Sequence, residues 1–155
     1  MKILGLDPAN QCGWAFDDGF GVTFGVWSLK DKTDQHAGRR LERFRRRLFT
    51  FRREHGFEVI GFEDASFGSN NAHTAASHNE LCGVIKMVAA ELEVPVFDYK
   101  PNHLKKWLTG SGKASKQDMI AAVERRFQIK TDNDNIADAI AVMARTKHEF
   151  TEKSI

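Results

Sequence analysis

The sequence predicts an α/β fold: a mixed β-sheet opened by an antiparallel meander, extended by strands that arrive through helices, and covered by helices on both faces. Three observations carry this. Three β-patterned runs joined by short turns fill the first 29 residues, a strand-like run follows the first amphipathic helix, and a second helix separates that run from another short strand.

The first run, Lys2-Ile-Leu-Gly-Leu-Asp7, is almost continuously apolar and ends in a carboxylate followed by Pro8. Such a run reads as a buried central strand with its acid emerging into a site. Residues 8–13 read as a turn, Trp14 to Phe16 as the second strand, and Asp18-Gly19 as a hairpin signal. Gly21 to Leu29 has the β-branched and aromatic content of a third strand.

From Gly38 to Glu54, Leu41, Phe44, Leu48 and Phe51 recur at helical spacing, and Gly56 follows as a stop. Phe49 falls off this stripe. Arginines 39, 40, 43, 45, 46, 47, 52 and 53 crowd the remaining surface. They form either a solvated outer face or, with Arg39, Arg43 and Arg46 as candidates, a contact for nucleic-acid phosphates.

Phe57 to Glu63 is the next strand, expected parallel to the first through a right-handed crossover. Glu63 and Asp64 point to opposite sides of it. Glu63 shares the parity of the small Gly61, the side better able to open to a site, but the sequence does not decide between the two acids. A helix is expected from Ala72 to Leu92, then a short strand from Val94 to Tyr99 whose Pro95 suits an edge or a strand start. Pro101 fits the first turn of a short helix ending near Leu108.

Ser115 to Asp118 has the spacing of a capping box and opens a helix to Phe127. Lys113 and Lys116 flank its N-terminus, where backbone N–H groups favour anions. A Walker phosphate loop would need Ser or Thr after Gly112-Lys113, and Ala114 stands there instead. Residues 131–135 cap a last helix that buries Ile136, Ile140 and Met143. Asn135 and Asp138 share a face, and Ala137 and Ala139 let the helix lie close to the sheet. Asp7, Glu63 and Asp138 converging from separate elements suggest a site for a hard metal ion.

With 155 residues, 41% of them hydrophobic, the chain is expected to form one domain, residues 1–155. Net charge is only +2, so the basic character is local to the arginine helix. The two cysteines, Cys12 and Cys82, have no zinc-finger spacing and give no disulfide framework, which favours a reducing cytoplasm. No membrane span or leader is read from the sequence, and a soluble, cytoplasmic protein is expected.

These residues together resemble the RuvC-type Holliday junction resolvases of the RNase H-like nuclease superfamily. The resemblance runs through Ile3-Leu-Gly-Leu-Asp-Pro8 with Gly13-Trp-Ala15, Gly61-Phe-Glu63, Phe67 with Asn71-Ala72, the Val94-to-Tyr99 strand, the Thr109-to-Lys116 segment and Ile136 to Ala141. It implies a five-stranded mixed sheet and a homodimer that addresses the two strands of a four-way DNA junction.

Residue by residue, the resemblance implies that Asp7, Glu63 and Asp138 are acidic ligands of two Mg²⁺ ions, with Mn²⁺ as a substitute. The family usually carries a fourth acidic or histidine ligand three residues before the last, and Asn135 stands there, so Asp134 or Asp132 is a candidate to compensate. Lys106 and Lys116 match basic positions near the scissile phosphate, and Phe67 an aromatic near the junction centre. The implied activity is hydrolysis leaving 5′-phosphate and 3′-hydroxyl ends. A junction-binding protein without catalysis, or a nuclease for flaps, forks or RNA-containing hybrids, are the other readings.

Overall fold

A computed structural model describes residues 1–64 and 72–153. In chain order they form β1 (Ile3–Asp7), β2 (Gln11–Asp17), β3 (Val22–Ser28), α1 (Arg39–His55), β4 (Val59–Glu63), α2 (Ala72–Leu92), β5 (Val96–Tyr99), α3 (Pro101–Thr109), α4 (Lys116–Phe127) and α5 (Asp134–Lys153). The five strands make one sheet in the order β3-β2-β1-β4-β5. The first three are antiparallel; β4 and β5 join parallel to β1.

Strand alternation sorts the core into two layers. Leu4, Leu6, Phe16, Ile60 and Phe62 face α1 and α2, where Phe44, Leu48, Leu81 and Ile85 meet them. Ile3, Ala15, Val59 and Tyr99 face α3, α4 and α5. Asp7 has the parity of Ile3, and Glu63 that of Val59. Both acids therefore belong to the α5 side of the sheet.

Among the boundaries that differ from the sequence reading, two have a clear physical cause. The turn after β1 is only Pro8–Asn10, because pairing with β3 extends β2 back to Gln11 opposite Ser28. At the other end, β5 begins at Val96. Val94 is still occupied in closing α2, its N–H donating to the Ala89 carbonyl, while Glu93 takes a left-handed φ of 53°. Pro95 sits just before β5, which is an edge strand, as its missing N–H favours.

The local signals at the helix ends act as expected. Gly56 terminates α1 with φ 71°. Ser115 and Asp118 form a reciprocal capping box on α4. Asn133 caps α5 through its Oδ1, which accepts from the N–H groups of Asn135 and Ile136. Phe49 does lie off the main stripe, yet it packs against the edge of the α1–α2 layer with the Arg45 guanidinium 4.6 Å over its ring.

The placement of α5 depends on three bare backbone positions. A Cβ on Gly5 of β1 would lie 2.6 Å from the Ala139 carbonyl oxygen and 2.5 Å from the Met143 nitrogen. One on Gly13 of β2 would collide with the Asn135 carbonyl, and one on Gly61 of β4 with the Thr146 hydroxyl. Gly5 pairs with Gly61 across β1 and β4, and Gly13 pairs with Asp7 across β1 and β2. These glycines make a trench across three strands, and α5 lies in it. At the distal end, buried Asp17 of β2 receives Lys147 of α5 at 2.7 Å.

Candidate metal centre

β1 and β4 are adjacent and parallel, so their C-terminal residues Asp7 and Glu63 emerge at the same end of the sheet. The first turns of α5 arrive there because the trench admits them. One carboxylate oxygen from each of Asp7, Glu63 and Asp138 lies within 4.8 Å of the others. Asp7 is only 7% exposed. The β4 end is held from the opposite face of the sheet: the Glu63 carbonyl lies 2.9 Å from His78 Nε2 and accepts the Cys82 thiol at 3.9 Å.

Three acids in so small and dry a space oppose one another's ionisation. Burial, then the charges of Glu63, Asp138 and Asp134, holds the Asp7 carboxyl well above its ordinary range. Burial, then Asp138, pushes Glu63 up to about 8; burial, then Asp134, pushes Asp138 up to about 6. The Cys12 thiol is also pushed up, first by burial and then by the charge of Asp7. The protein supplies too little positive charge to satisfy this cluster, and its donor set is all oxygen. Both features fit a hard divalent cation.

Two lysines act on the acids. Lys116, the first residue of α4, is 79% exposed and reaches Asp134 at 3.1 Å. Its charge favours ionisation of Asp7 and Asp138, and the hydrogen bond to Asp134 raises its own pKa. Lys105 favours ionisation of Glu63 and Asp138 and was not singled out from the sequence. The signal was present in α3. Leu104 and Leu108 mark its buried face, from whose centre Lys105 lies roughly 80° and Lys106 roughly 180° at about 100° per residue. Lys106 is accordingly exposed, as is Lys113 in the loop before α4.

The remaining candidates separate by location. Asn135 sits at the start of α5 with its carbonyl over Gly13. Asp134 is close enough for its charge to act on Asp7 and Asp138, whereas Asp132 is exposed in the preceding loop. Phe67 and Asn71 lie outside the described residues. Arg39, Arg43 and Arg46 belong to α1, across the sheet from the acids. Arg39 and Arg46 pair with Glu42 at 2.9 and 2.5 Å, and Arg43 makes a forked contact with Asp34 at 2.7 and 3.1 Å. No described helix is long and apolar enough to cross a membrane.

This sheet order, with an acidic cluster at the ends of its central parallel pair and on the helix crossing them, is that of an RNase H-like fold. A family model described as crossover junction endodeoxyribonuclease RuvC matches residues 3–146. The chain is 31% identical over 157 aligned positions to crossover junction endodeoxyribonuclease RuvC of Pseudothermotoga lettingae, covering 92% of this chain and 91% of that protein. It is 28% identical to that of Ehrlichia chaffeensis, covering 99% of both. Its backbone is similar to T. thermophilus RuvC in complex with Holliday junction substrate, with a TM-score of 0.80 at 21% identity, covering 99% of this chain and 96% of that one. The chain belongs to the RuvC family of crossover junction endodeoxyribonucleases. Membership implies use of a divalent metal ion.

Proposed function

We propose that this chain, as a homodimer, resolves four-way DNA junctions by hydrolysing one phosphodiester in each of two opposed strands, leaving 5′-phosphate and 3′-hydroxyl ends. The observation that carries this reading is the meeting of Asp7, Glu63 and Asp138 within 4.8 Å at one end of the sheet. Two Mg²⁺ ions, or Mn²⁺ in their place, are assigned to these carboxylates, with Asn135 or Asp134 completing the set. When bound, the ions supply Lewis acidity for the attacking water and the departing 3′ oxygen.

The chain's own residues supply position and charge. Asp7 and Glu63 are fixed by the β1–β4 ladder, and Asp138 by the packing of α5, so the carboxylates need little rearrangement as a strand arrives. Lys116, on a flexible stem at the mouth of the site, exchanges Asp134 for a phosphate oxygen and offsets charge growing there during the reaction. Lys105 favours the ionised forms of Glu63 and Asp138 against burial and mutual repulsion. Lys106, Lys113 and Phe67 are assigned to DNA binding.

The test is a synthetic four-way junction incubated with Mg²⁺. Wild type should nick it symmetrically, while Asp7→Asn and Asp138→Asn should not cut but should still bind it in Ca²⁺. Cutting at wild-type rate by either variant would overturn the assignment.

A further inference from the structure

A second polar cleft opens at the same end of the sheet on the other face, between the β3–α1 connection and the first half of α2, with a volume of about 400 Å³. That volume lies within the roughly 300–1,000 Å³ range of small-ligand sites. Asn10 lines it and is three residues beyond Asp7, so its Cα lies no more than about 11 Å from that of Asp7. Its carbonyl accepts the Leu29 N–H at 2.8 Å, which fixes this corner beside Lys30.

The cleft contains polar groups that the fold leaves unmatched. Arg40 spends Nη2 on Glu80 at 2.5 Å, but its Nη1 is buried with no hydrogen-bond partner among the described residues, and so is the Asn10 side-chain oxygen. A buried polar atom left in this state is costly unless something else meets it. His36 accepts the Gly38 N–H at Nδ1, which puts the neutral ring's proton on Nε2 as a donor. Lys30 and Lys32 make no ion pair among the described residues.

The acids around the cleft are already engaged. Asp34 is held by Arg43, Asp31 accepts from Thr33 at 2.8 and 2.7 Å, and Glu80 is held by Arg40. What remains is a set of donors: a guanidinium nitrogen, two ammonium groups and an imidazole N–H. The Asn10 amide adds its nitrogen on a half-turn of its last torsion. Several donors, three of them cationic, are suited to a phosphate diester.

We infer that this cleft is a phosphate subsite for the nucleic-acid strand passing the acidic centre, engaging through Arg40, Lys30 and Lys32 a phosphate a few nucleotides from the cut. The inference rests on the nuclease reading above. It adds a phosphate-binding point on the α1–α2 face that neither the acidic cluster nor the family comparison assigns.

The experiment measures binding of the full chain to a four-way junction in Ca²⁺. Neutral methylphosphonate linkages replace the phosphates one at a time on both sides of the cleavage position. One linkage away from the cut should weaken wild-type binding about tenfold, and the same linkage should cost nothing further in Lys30→Gln/Lys32→Gln or in Arg40→Gln. Each variant should also show a shallower salt dependence, by about 0.9 in slope for each phosphate the protein no longer neutralises. The lysine pair is exposed, so its result stands even where removal of the Arg40–Glu80 ion pair disturbs packing.

Wild-type affinity and slope in the lysine variant, or strictly additive losses at every linkage, would overturn the subsite while junction cutting by wild type upheld the nuclease reading. Failure of wild type to bind or cut the junction would remove both.

Discussion

The carbonyl of Asn135 rests on the bare Cα of Gly13, and Gly13 is the residue paired with Asp7 in the β1–β2 ladder. The helix carrying Asp138 is thus positioned from the strand next to the one carrying Asp7. Gly13→Ala should lift the start of α5 and separate the carboxylates. We expect a loss of about 1–3 kcal/mol in stability from overpacking and a fall in kcat on the order of 10²-fold. Urea melts and single-turnover cutting of a four-way junction measure the two effects. Retained activity would show that α5 does not need this close approach.

The acidic cluster should make the metal-free protein sensitive to alkali. Glu63 and Asp138 have ordinary values of 4.5 and 3.8 and folded values of about 8 and about 6. The folded state therefore holds protons that the unfolded chain has already released. Stability is greatest below pH 4 with respect to these groups and is lost as pH rises to about 8. Thermal melts in a chelator should show Tm falling across that window, and Mg²⁺ should raise Tm more at pH 8 than at pH 5. A Tm contribution that climbs with pH in wild type relative to Glu63→Gln would contradict the sign.

Lys105 and Lys106 are neighbours that face different ways on α3, one half-buried and one exposed. Lys105→Ala removes a charge that favours ionised Glu63 and Asp138, so the acidic limb of the kcat/KM profile should move to higher pH. Lys106→Ala should weaken junction binding and leave that limb in place. Identical shifts in both variants would dissolve the distinction.

For Lys116→Ala we expect turnover to fall by about 10²-fold, with a smaller change in binding. The reverse pattern would make Lys116 an anchor for the strand.

Asn135→Asp adds a carboxylate at the head of α5. The Mg²⁺ concentration for half-maximal cutting should fall several-fold. An unchanged requirement would mean that Asp134 already completes the set.

Much of this architecture was legible in the sequence because its signals are local. The apolar run ending at Asp7, the Asp18-Gly19 hairpin, the α1 stripe closed by Gly56 and the Ser115–Asp118 box each act over a few residues. The trench was not legible, since Gly5, Gly13 and Gly61 acquire meaning only when strands far apart in sequence lie side by side. Ala137 and Ala139 pointed to close packing of α5, but not to where. Parity favoured Glu63, and sheet order brings it beside Asp7. The arginine density of α1 suggested phosphate contact, yet the acids that bind Arg40, Arg43 and Arg45 come from other segments, so their pairing was invisible in the helix itself.

The trench also orders events while the chain is being made. Its floor comes from β1, β2 and β4, but the helix that fills it leaves the ribosome after all three, and Asp7 waits for Asp138, 131 residues further on. Contacts so distant in sequence close late in folding. An unfinished chain therefore lacks one of its three carboxylates, and the assigned nuclease centre cannot assemble before α5 emerges.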